Sequence, residues 1–255
     1  MNRQTCLSII AATSLTVALA SCSGEPESSG TASPSPSVSA TPSPTPAPST
    51  PAPTPTTPPA APARTAAQLT KALLGLDDLP AGFSIEPDTG DEGDDVTLSS
   101  KDPKCARLVA LTNAEKAPGA KASAYRSFAA GEQGPFVDEG LDAMGSAAAV
   151  QALQQSFQQA IRTCRGMSIS IPGEGRSPIT VREVSAPKTG TTPVAVRFSA
   201  AEGPAAGLEV TMVTTGVQDV VVSVTVMGGA SDDIDGTTRA AVAKATKVLG
   251  TTSGT

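Results

Sequence analysis

The segment SAAAVQALQQSFQQAIRTC, residues 146–164, marks the place where the hydrophobic period of this chain changes. Its larger apolar side chains recur at helical spacing, and most of its glutamines fall elsewhere, which predicts an amphipathic helix capped by Ser146. The apolar stripe consists of Val150, Leu153, Phe157, Ala160, Ile161 and Cys164. Beyond Gly166 the apolar residues alternate with polar ones, which indicates that β-strands follow the helix.

The sequence after Gly166 predicts five strands separated by clusters of Gly, Pro and polar residues. They span residues 168–171, 179–184, 194–200, 208–215 and 217–227. Connections this short predict antiparallel neighbours, because parallel strands need a long crossover. Valines at successive positions of the last segment suit a central, covered strand. Ser231 and the two acidic residues after it predict the start of a final helix.

The sequence before residue 146 predicts two shorter helices and further strands. One helix lies near residues 65–75 and another begins at Asp102-Pro103, while residues 121–130 and 136–144 predict a hairpin. We expect an α+β domain over residues 65–250, built as an antiparallel meander sheet with helices packed on one face. A disordered Pro/Ser/Thr-rich stalk precedes it, and residues 251–255 form a disordered tail.

The amino terminus predicts export and lipidation. Residues 1–21 combine a charged start at Arg3 with an apolar run of about 15 residues, too short to span a membrane and typical of a signal peptide. Leu-Ala-Ser-Cys at residues 19–22 resembles the lipobox of bacterial lipoproteins, which implies a diacylglyceryl group on Cys22. The alternative is an ordinary signal peptide with a cysteine there by chance. The lipobox interpretation predicts a lipid anchor at the outer face of the cell membrane.

Residues 22–64 follow the signal as a lipidated linker composed almost entirely of Pro, Ser, Thr, Ala and Gly. Such a composition builds no hydrophobic core, and its prolines favour extended polyproline II. We expect a disordered spacer that carries the domain away from the membrane. A featureless tether is the alternative interpretation.

The predicted export and lipidation assign a role to each of the four cysteines. Cys6 leaves with the signal and Cys22 carries the lipid, which leaves Cys105 and Cys164 as a pair in an oxidising compartment. We predict a disulfide between them, joining two helices. Two buried free thiols are the alternative.

Composition excludes several functions. Removal of the signal leaves 17 basic and 24 acidic residues, a net charge of −7, which argues against a nucleic-acid partner. The chain has no His and no Trp, with one Tyr and five Phe, so we expect no metal site and no aromatic stacking platform. No cofactor is expected. The acidic run at residues 86–95 lacks the ligand spacing of an EF-hand and is interpreted as a solvated loop.

Two groups of polar residues on predicted strands are candidates for a site. Residues 136–144 alternate, with Val137, Glu139 and Leu141 opposite Asp138 and Asp142, which predicts one wet strand face. Asp138, Glu139 and Asp142 offer paired carboxylates for a cell-wall hydrolase, against the alternative of solvated strand faces. Four cationic or aromatic side chains are candidates for an anionic ligand, against the alternative of cross-strand salt bridges with Glu183 or Glu209. These four are Tyr125, Arg126, Arg182 and Arg197.

The lipobox, the Pro-rich stalk, the segment Asp102-Pro103-Lys104-Cys105 and the helix ending at Cys164 together resemble actinobacterial lipoproteins. Their single domain resembles the extracellular sensor domain of PknH-type Ser/Thr kinases, and the likeness covers about residues 69–249. It implies a sensor-like module that acts through a partner, because the sequence shows no kinase domain.

Three functions follow from these patterns. The leading prediction is a module that is not an enzyme and that binds a cell-wall fragment, a lipid or a protein. The first alternative is a carrier for lipids or other hydrophobic molecules, and the second is a hydrolase that depends on carboxylates.

Overall fold

The structure of the protein is a computed structural model that describes residues 63–87 and 96–250. The predicted signal peptide, the lipidation site at Cys22, most of the linker, most of the acidic run and the carboxyl-terminal tail lie outside the described residues. Arg64 begins the folded part, because its Nε donates to Asp219 at 2.6 Å and its Nη1 donates to the carbonyl of Leu249 at 3.2 Å.

The described residues form an α+β fold of nine strands and four α-helices, which confirms the predicted class. The strands are β1 (Ser84–Glu86), β2 (Thr97–Ser99), β3 (Ala122–Ala129), β4 (Phe136–Ala143), β5 (Gly166–Ile171), β6 (Gly175–Val184), β7 (Thr191–Ser199), β8 (Glu209–Val217) and β9 (Val220–Met227). The helices are α1 (Ala66–Ala72), α2 (Ala106–Thr112), α3 (Ala147–Thr163) and α4 (Ser231–Gly250). A 3-10 turn, Pro103–Cys105, leads into α2.

All nine strands join one antiparallel sheet in the order β1-β3-β4-β9-β8-β7-β6-β5-β2. The meander holds for β5 through β9, but the β3–β4 hairpin pairs with the far end of that meander through β9. The physical reason is α3, whose 17 residues span about 25 Å and carry the chain across the sheet before β5 begins. The short edge strand β2 had no sequence signal and pairs with β5.

The helices cover both faces of the sheet, so the prediction of helices on one face is wrong. Val220, Val222, Val224 and Val226 of β9 pack in the core that includes α1 and α4, whereas Val221 packs against Val150 of α3. Successive strand residues point to opposite faces, so α3 and α1 lie on opposite sides. Because the central strands bury valines on both faces, with Val224 of β9 on the α4 side and Val196 of β7 on the α3 side, each face requires its own helical cover.

The β8–β9 hairpin turns at Gln218 and Asp219, two residues later than the turn that Gly216 predicts. Gln218 has a φ of 57°, a conformation that two-residue hairpin turns require. Gly216 is needed for close packing instead, because a Cβ there would lie 2.7 Å from Cγ1 of Val150 and also too close to Thr191.

A disulfide joins Cys105 to Cys164, as the sequence predicts. Both cysteines are fully buried among the residues beneath α3. The bond ties the start of α2 to the end of α3, and the helix ends are further defined by Asp102 and Ser146, which accept from the backbone N–H groups of Lys104 and Ala149.

Glu139 is fully buried between the sheet and α1, although its strand neighbours Asp138 and Gly140 point to the other face. The Leu74 N–H donates to Oε2 of Glu139 at 2.6 Å, and Arg126, the cross-strand partner of Glu139, donates to the Leu74 carbonyl. Oε1 has no partner among the described residues. Burial raises the pKa of Glu139 to about 7, against the opposing effects of the Leu74 N–H and of Arg126.

We expect removal of the disulfide by the double substitution Cys105→Ala/Cys164→Ala to lower the free energy of unfolding by about 2–4 kcal/mol. The reason is that the bond closes a loop between residues 59 apart in sequence and so restricts the unfolded chain. Urea denaturation measures the loss. Reductant should destabilise the native protein to the same extent and leave the variant unaffected; an equal response of both would contradict a formed bond.

We expect Glu139→Gln to stabilise the protein more at pH 8 than at pH 5. The native pKa of about 7 lies above the ordinary Glu pKa of 4.5, so the contribution of Glu139 to stability is fully present below about pH 4.5. It is lost as the pH rises through 7, by up to about 3 kcal/mol. Gln retains an oxygen acceptor for the Leu74 N–H but does not ionise.

Urea denaturation of the native protein and of the Glu139→Gln variant at the two pH values measures the difference in unfolding free energy. Glu209→Gln, at an exposed carboxylate of β8, is the matched control. Its unfolding free energy should differ from that of the native protein by the same amount at both pH values. A constant difference for Glu139→Gln would rule out a charge-dependent cost of burying this carboxylate.

Candidate functional site

A cleft of about 710 Å³ opens on the face of the sheet that α3 covers. It exists because α3 and α2 lie mainly over the half of the sheet that contains β5 to β8, and no described helix lies over β3 and β4 on this face. The volume falls within the range of about 300–1,000 Å³ that is common for small-molecule sites. The segment that follows α2 forms the opposite wall.

The floor of the cleft is polar because β4 alternates. Val137, Glu139 and Leu141 are buried toward α1 and α4, so Asp138 and Asp142 face the cleft, as the alternation in the sequence predicts. The neighbouring strands add hydroxyl groups. The polar side chains of the floor are Ser123, Asp138, Asp142, Ser223 and Thr225.

Gly140 leaves a depression in the middle of this floor, because it has no side chain. A Cβ at Gly140 would lie 2.7 Å from Oγ of Ser223, so no larger residue fits without a shift of its neighbour. Beside it, the Ser123 hydroxyl donates to Oδ1 of Asp142 at 2.5 Å, which orients that carboxylate. The floor therefore offers two separated acceptors with a depression between them.

Gln154 of α3 lines the cleft and is 1% exposed. The Thr214 hydroxyl donates to Oε1 of Gln154 at 2.7 Å, whereas Nε2 has no hydrogen-bond partner among the described residues. A buried donor without a partner costs about 1–3 kcal/mol. Since Gln154 lines the cleft, an acceptor bound against it would satisfy Nε2 after a small shift of the side chain that exposes this atom.

Apolar side chains surround Gln154 at this inner end. Leu153 and Phe157 come from α3, and Met212 and Val221 come from the sheet. The apolar spacing of α3 predicts that Leu153 and Phe157 lie toward the sheet. The signal that was missed is the position of Gln154 four residues after Val150 and three before Phe157, which places it on the apolar stripe.

Tyr125 lies on β3 at the floor of the cleft and is 64% exposed. It is the only Tyr of the chain and is the cross-strand partner of Gly140. The scarcity of aromatic residues predicts that no aromatic platform exists, and Tyr125 is the one aromatic side chain that the structure exposes on the floor of the cleft. Tyr125 is thus the one candidate of its group that the cleft contains.

The three candidate arginines do not join Tyr125. Arg126 lies on the opposite face beneath α1, where it donates to the Leu74 carbonyl. Arg182 and Arg197 are directly opposite each other on β6 and β7, on the same face as α1 and α4 but in the half that those helices leave open. The four residues therefore do not form one anion site.

The alternative prediction, salt bridges from these arginines to Glu183 or Glu209, is also wrong for the described residues. Glu183 points to the α3 face, where Arg162 donates to it at 3.1 Å, and this hydrogen bond holds the pKa of Glu183 below its usual value. The Arg197 guanidinium instead donates to the Thr211 hydroxyl at 3.2 Å.

The carboxylates of the floor are widely separated. Asp138 and Asp142 are four residue steps apart on β4, which places their Cα atoms about 13 Å apart, and Glu139 points away from both. Glycosidase carboxyl groups lie about 5–9.5 Å apart. Among residues 63–87 and 96–250, no cluster of three or more metal-binding side chains occurs, and no helix there is both long and apolar enough to cross a membrane.

Comparisons with known proteins bear on this fold. A comparison with curated proteins found no match. The crystal structure of the extracellular domain of PknH from Mycobacterium tuberculosis aligns with a TM-score of 0.54 and 16% identity, over 74% of this chain and 98% of that one. At this identity the likeness concerns the fold alone. Residues 64–248 match the family described as the PknH-like extracellular domain, and the resemblance expected from the sequence is thereby confirmed. With all nine strands inside the matched region, the chain belongs to the PknH-like extracellular domain family.

Proposed function

We propose that the protein is a membrane-anchored, extracytoplasmic binding module in which the cleft on the α3 face receives a ligand. The observation that carries this proposal is the buried amide of Gln154, which lines the cleft and lacks a partner for Nε2 within the described protein. The exposed ring of Tyr125 and the acidic floor add contacts that a ligand would use. Membership of a family of extracellular domains supports a location outside the cytoplasm.

The anchor in this proposal is a diacylglyceryl group on Cys22. Two acyl chains give stable membrane attachment, whereas one chain gives only reversible binding. The linker, which ends before Arg64 of the folded part, then sets the distance between the membrane and the domain, and its prolines favour an extended spacer.

Binding is favoured over catalysis by the geometry of the carboxylates. The Cα atoms of Asp138 and Asp142 lie about 13 Å apart along β4, so both side chains would have to lean toward each other to reach the carboxyl separation of a glycosidase pair. Glu139, the carboxyl group with a pKa of about 7, lies on the opposite face from the cleft and does not contact it.

Transport of a lipid or another hydrophobic molecule is the second candidate. The apolar inner end of the cleft, formed by Leu153, Phe157, Met212 and Val221, favours this function. The acidic floor and the unsatisfied amide favour a polar ligand instead. Organic extraction of the protein purified from its native host, followed by mass spectrometry, would reveal any bound lipid.

We expect tyrosine fluorescence to report on ligand binding in the cleft, because the chain has one Tyr and no Trp. The full chain in mild detergent is titrated with aqueous and organic extracts of the envelope of its native host. An extract that contains the ligand should change the emission of Tyr125. The double substitution Gln154→Met/Thr214→Val should weaken the response at least about tenfold, since it removes a polar contact at the inner end.

Gln155→Met is the matched control, because Gln155 is exposed and adjacent on the same helix. It should leave the response unchanged. Thermal unfolding shows that both variants are folded, and replacing the Gln154 and Thr214 partners together by apolar groups is expected to be nearly neutral. If no extract alters the emission, or if the double variant responds like the native protein, the cleft is not the binding site.

We expect Cys22→Ala to abolish lipidation and processing. The intact mass of the native protein extracted from membranes should equal that of residues 22–255 plus a lipid group, whereas the variant should retain residues 1–21 without lipid. A native protein with an unmodified cysteine at position 22 would refute the anchor and leave the proposal for the cleft in place.

A further inference from the structure

We propose that the ligand of the cleft is an N-acetylated amino sugar, either alone or as part of a glycan. This inference rests on the proposed function, since it assigns a chemical class to the molecule that the cleft receives. It assigns the acetamido carbonyl to Nε2 of Gln154, the sugar hydroxyls to Asp138 and Asp142, and one face of the sugar ring to Tyr125.

The inner end of the cleft requires a hydrogen-bond acceptor. Oε1 of Gln154 is held by the Thr214 hydroxyl, so the amide directs its unpartnered NH₂ group as a donor. An anionic acceptor is disfavoured, because the cleft is lined by three carboxylates and one cation. These are Glu115, Asp138, Asp142 and Lys116. A neutral carbonyl, such as that of an acetamido group, meets the requirement without bringing negative charge.

The immediate surroundings of that donor are apolar. Leu153 precedes Gln154, Phe157 lies one turn further along the same face of α3, and both line the cleft. A group that enters here should therefore combine a carbonyl with a small apolar part. The acetamido group has this combination, with its methyl group beside its carbonyl oxygen.

The floor requires a ligand rich in donors. Carboxylates only accept hydrogen bonds, and Asp138 and Asp142 lie on either side of the depression at Gly140. Several hydroxyl groups on one rigid ring can reach separated acceptors of this kind. The exposed ring of Tyr125 lies next to the depression and provides an apolar surface for the C–H face of a sugar.

Two trisaccharides with the same linkage test this inference. Tri-N-acetylchitotriose and cellotriose share a β-1,4 backbone and differ only in the acetamido group that replaces a hydroxyl on each ring. The full chain is titrated with each by tyrosine fluorescence and by calorimetry. We expect tri-N-acetylchitotriose to bind at least about tenfold more tightly than cellotriose, which corresponds to one hydrogen bond to the buried donor.

The variants assign the contacts. Gln154→Met/Thr214→Val should abolish the preference for the acetylated sugar. Asp138→Asn should lower the affinity for both sugars. Gln155→Met on the solvent side of α3 should change neither. Equal affinity for the two sugars, or a preference that survives loss of Gln154, overturns the inference.

The outcomes also separate this inference from the proposed function. If neither sugar binds but an envelope extract still alters the emission of Tyr125, the amino-sugar assignment is wrong and the cleft remains a binding site. If neither the sugars nor any extract alters the emission or gives a heat of binding, both proposals fail.

Discussion

Burial of apolar residues on both faces of the central sheet is the constraint on which the rest of this structure depends. Val220, Val222, Val224 and Val226 of β9 pack toward α1 and α4, whereas Val194 and Val196 of β7 pack beneath α3, so neither face of the sheet can be left entirely to water. Burial of each of these side chains contributes roughly 1.5–3 kcal/mol. The sheet must therefore have helices on both sides, and with two α-helices for each face the cover is incomplete.

The division of the helices creates the cleft. On one face α1 and α4 lie over β3, β4, β9 and β8, and on the other face α3 and α2 lie over the opposite half of the sheet. Each face thus has one covered and one open half. Because β4 is covered on the α1 side and open on the α3 side, its alternating sequence places Val137 and Leu141 in the core and Asp138 and Asp142 on the open floor.

A disulfide and a pair of hydrogen-bonded side chains hold the helices in place around the cleft and the core. The disulfide between Cys105 and Cys164 joins the start of α2 to the end of α3, and the segment after α2 forms a wall of the cleft. On the opposite face, Glu139 and Arg126 bind the N–H and the carbonyl of Leu74, which connects the end of α1 to adjacent strands. The first link is apolar and covalent, whereas the second places an ionisable group where burial raises its pKa.

The sequence by itself determined the local elements, because spacing, caps and turns are properties of neighbouring residues. The period of residues 147–163 defined α3, the alternation of β4 defined its wet face, and the count of cysteines defined the disulfide pair. Only the tertiary structure decided which elements meet. The joining of β4 to β9, the placing of Gln154 beside Thr214, the separation of Tyr125 from Arg182 and Arg197, and the burial of Glu139 all depend on contacts between residues far apart in the chain. Those contacts follow from how the apolar faces of whole strands and helices are covered, and a local pattern does not contain that information.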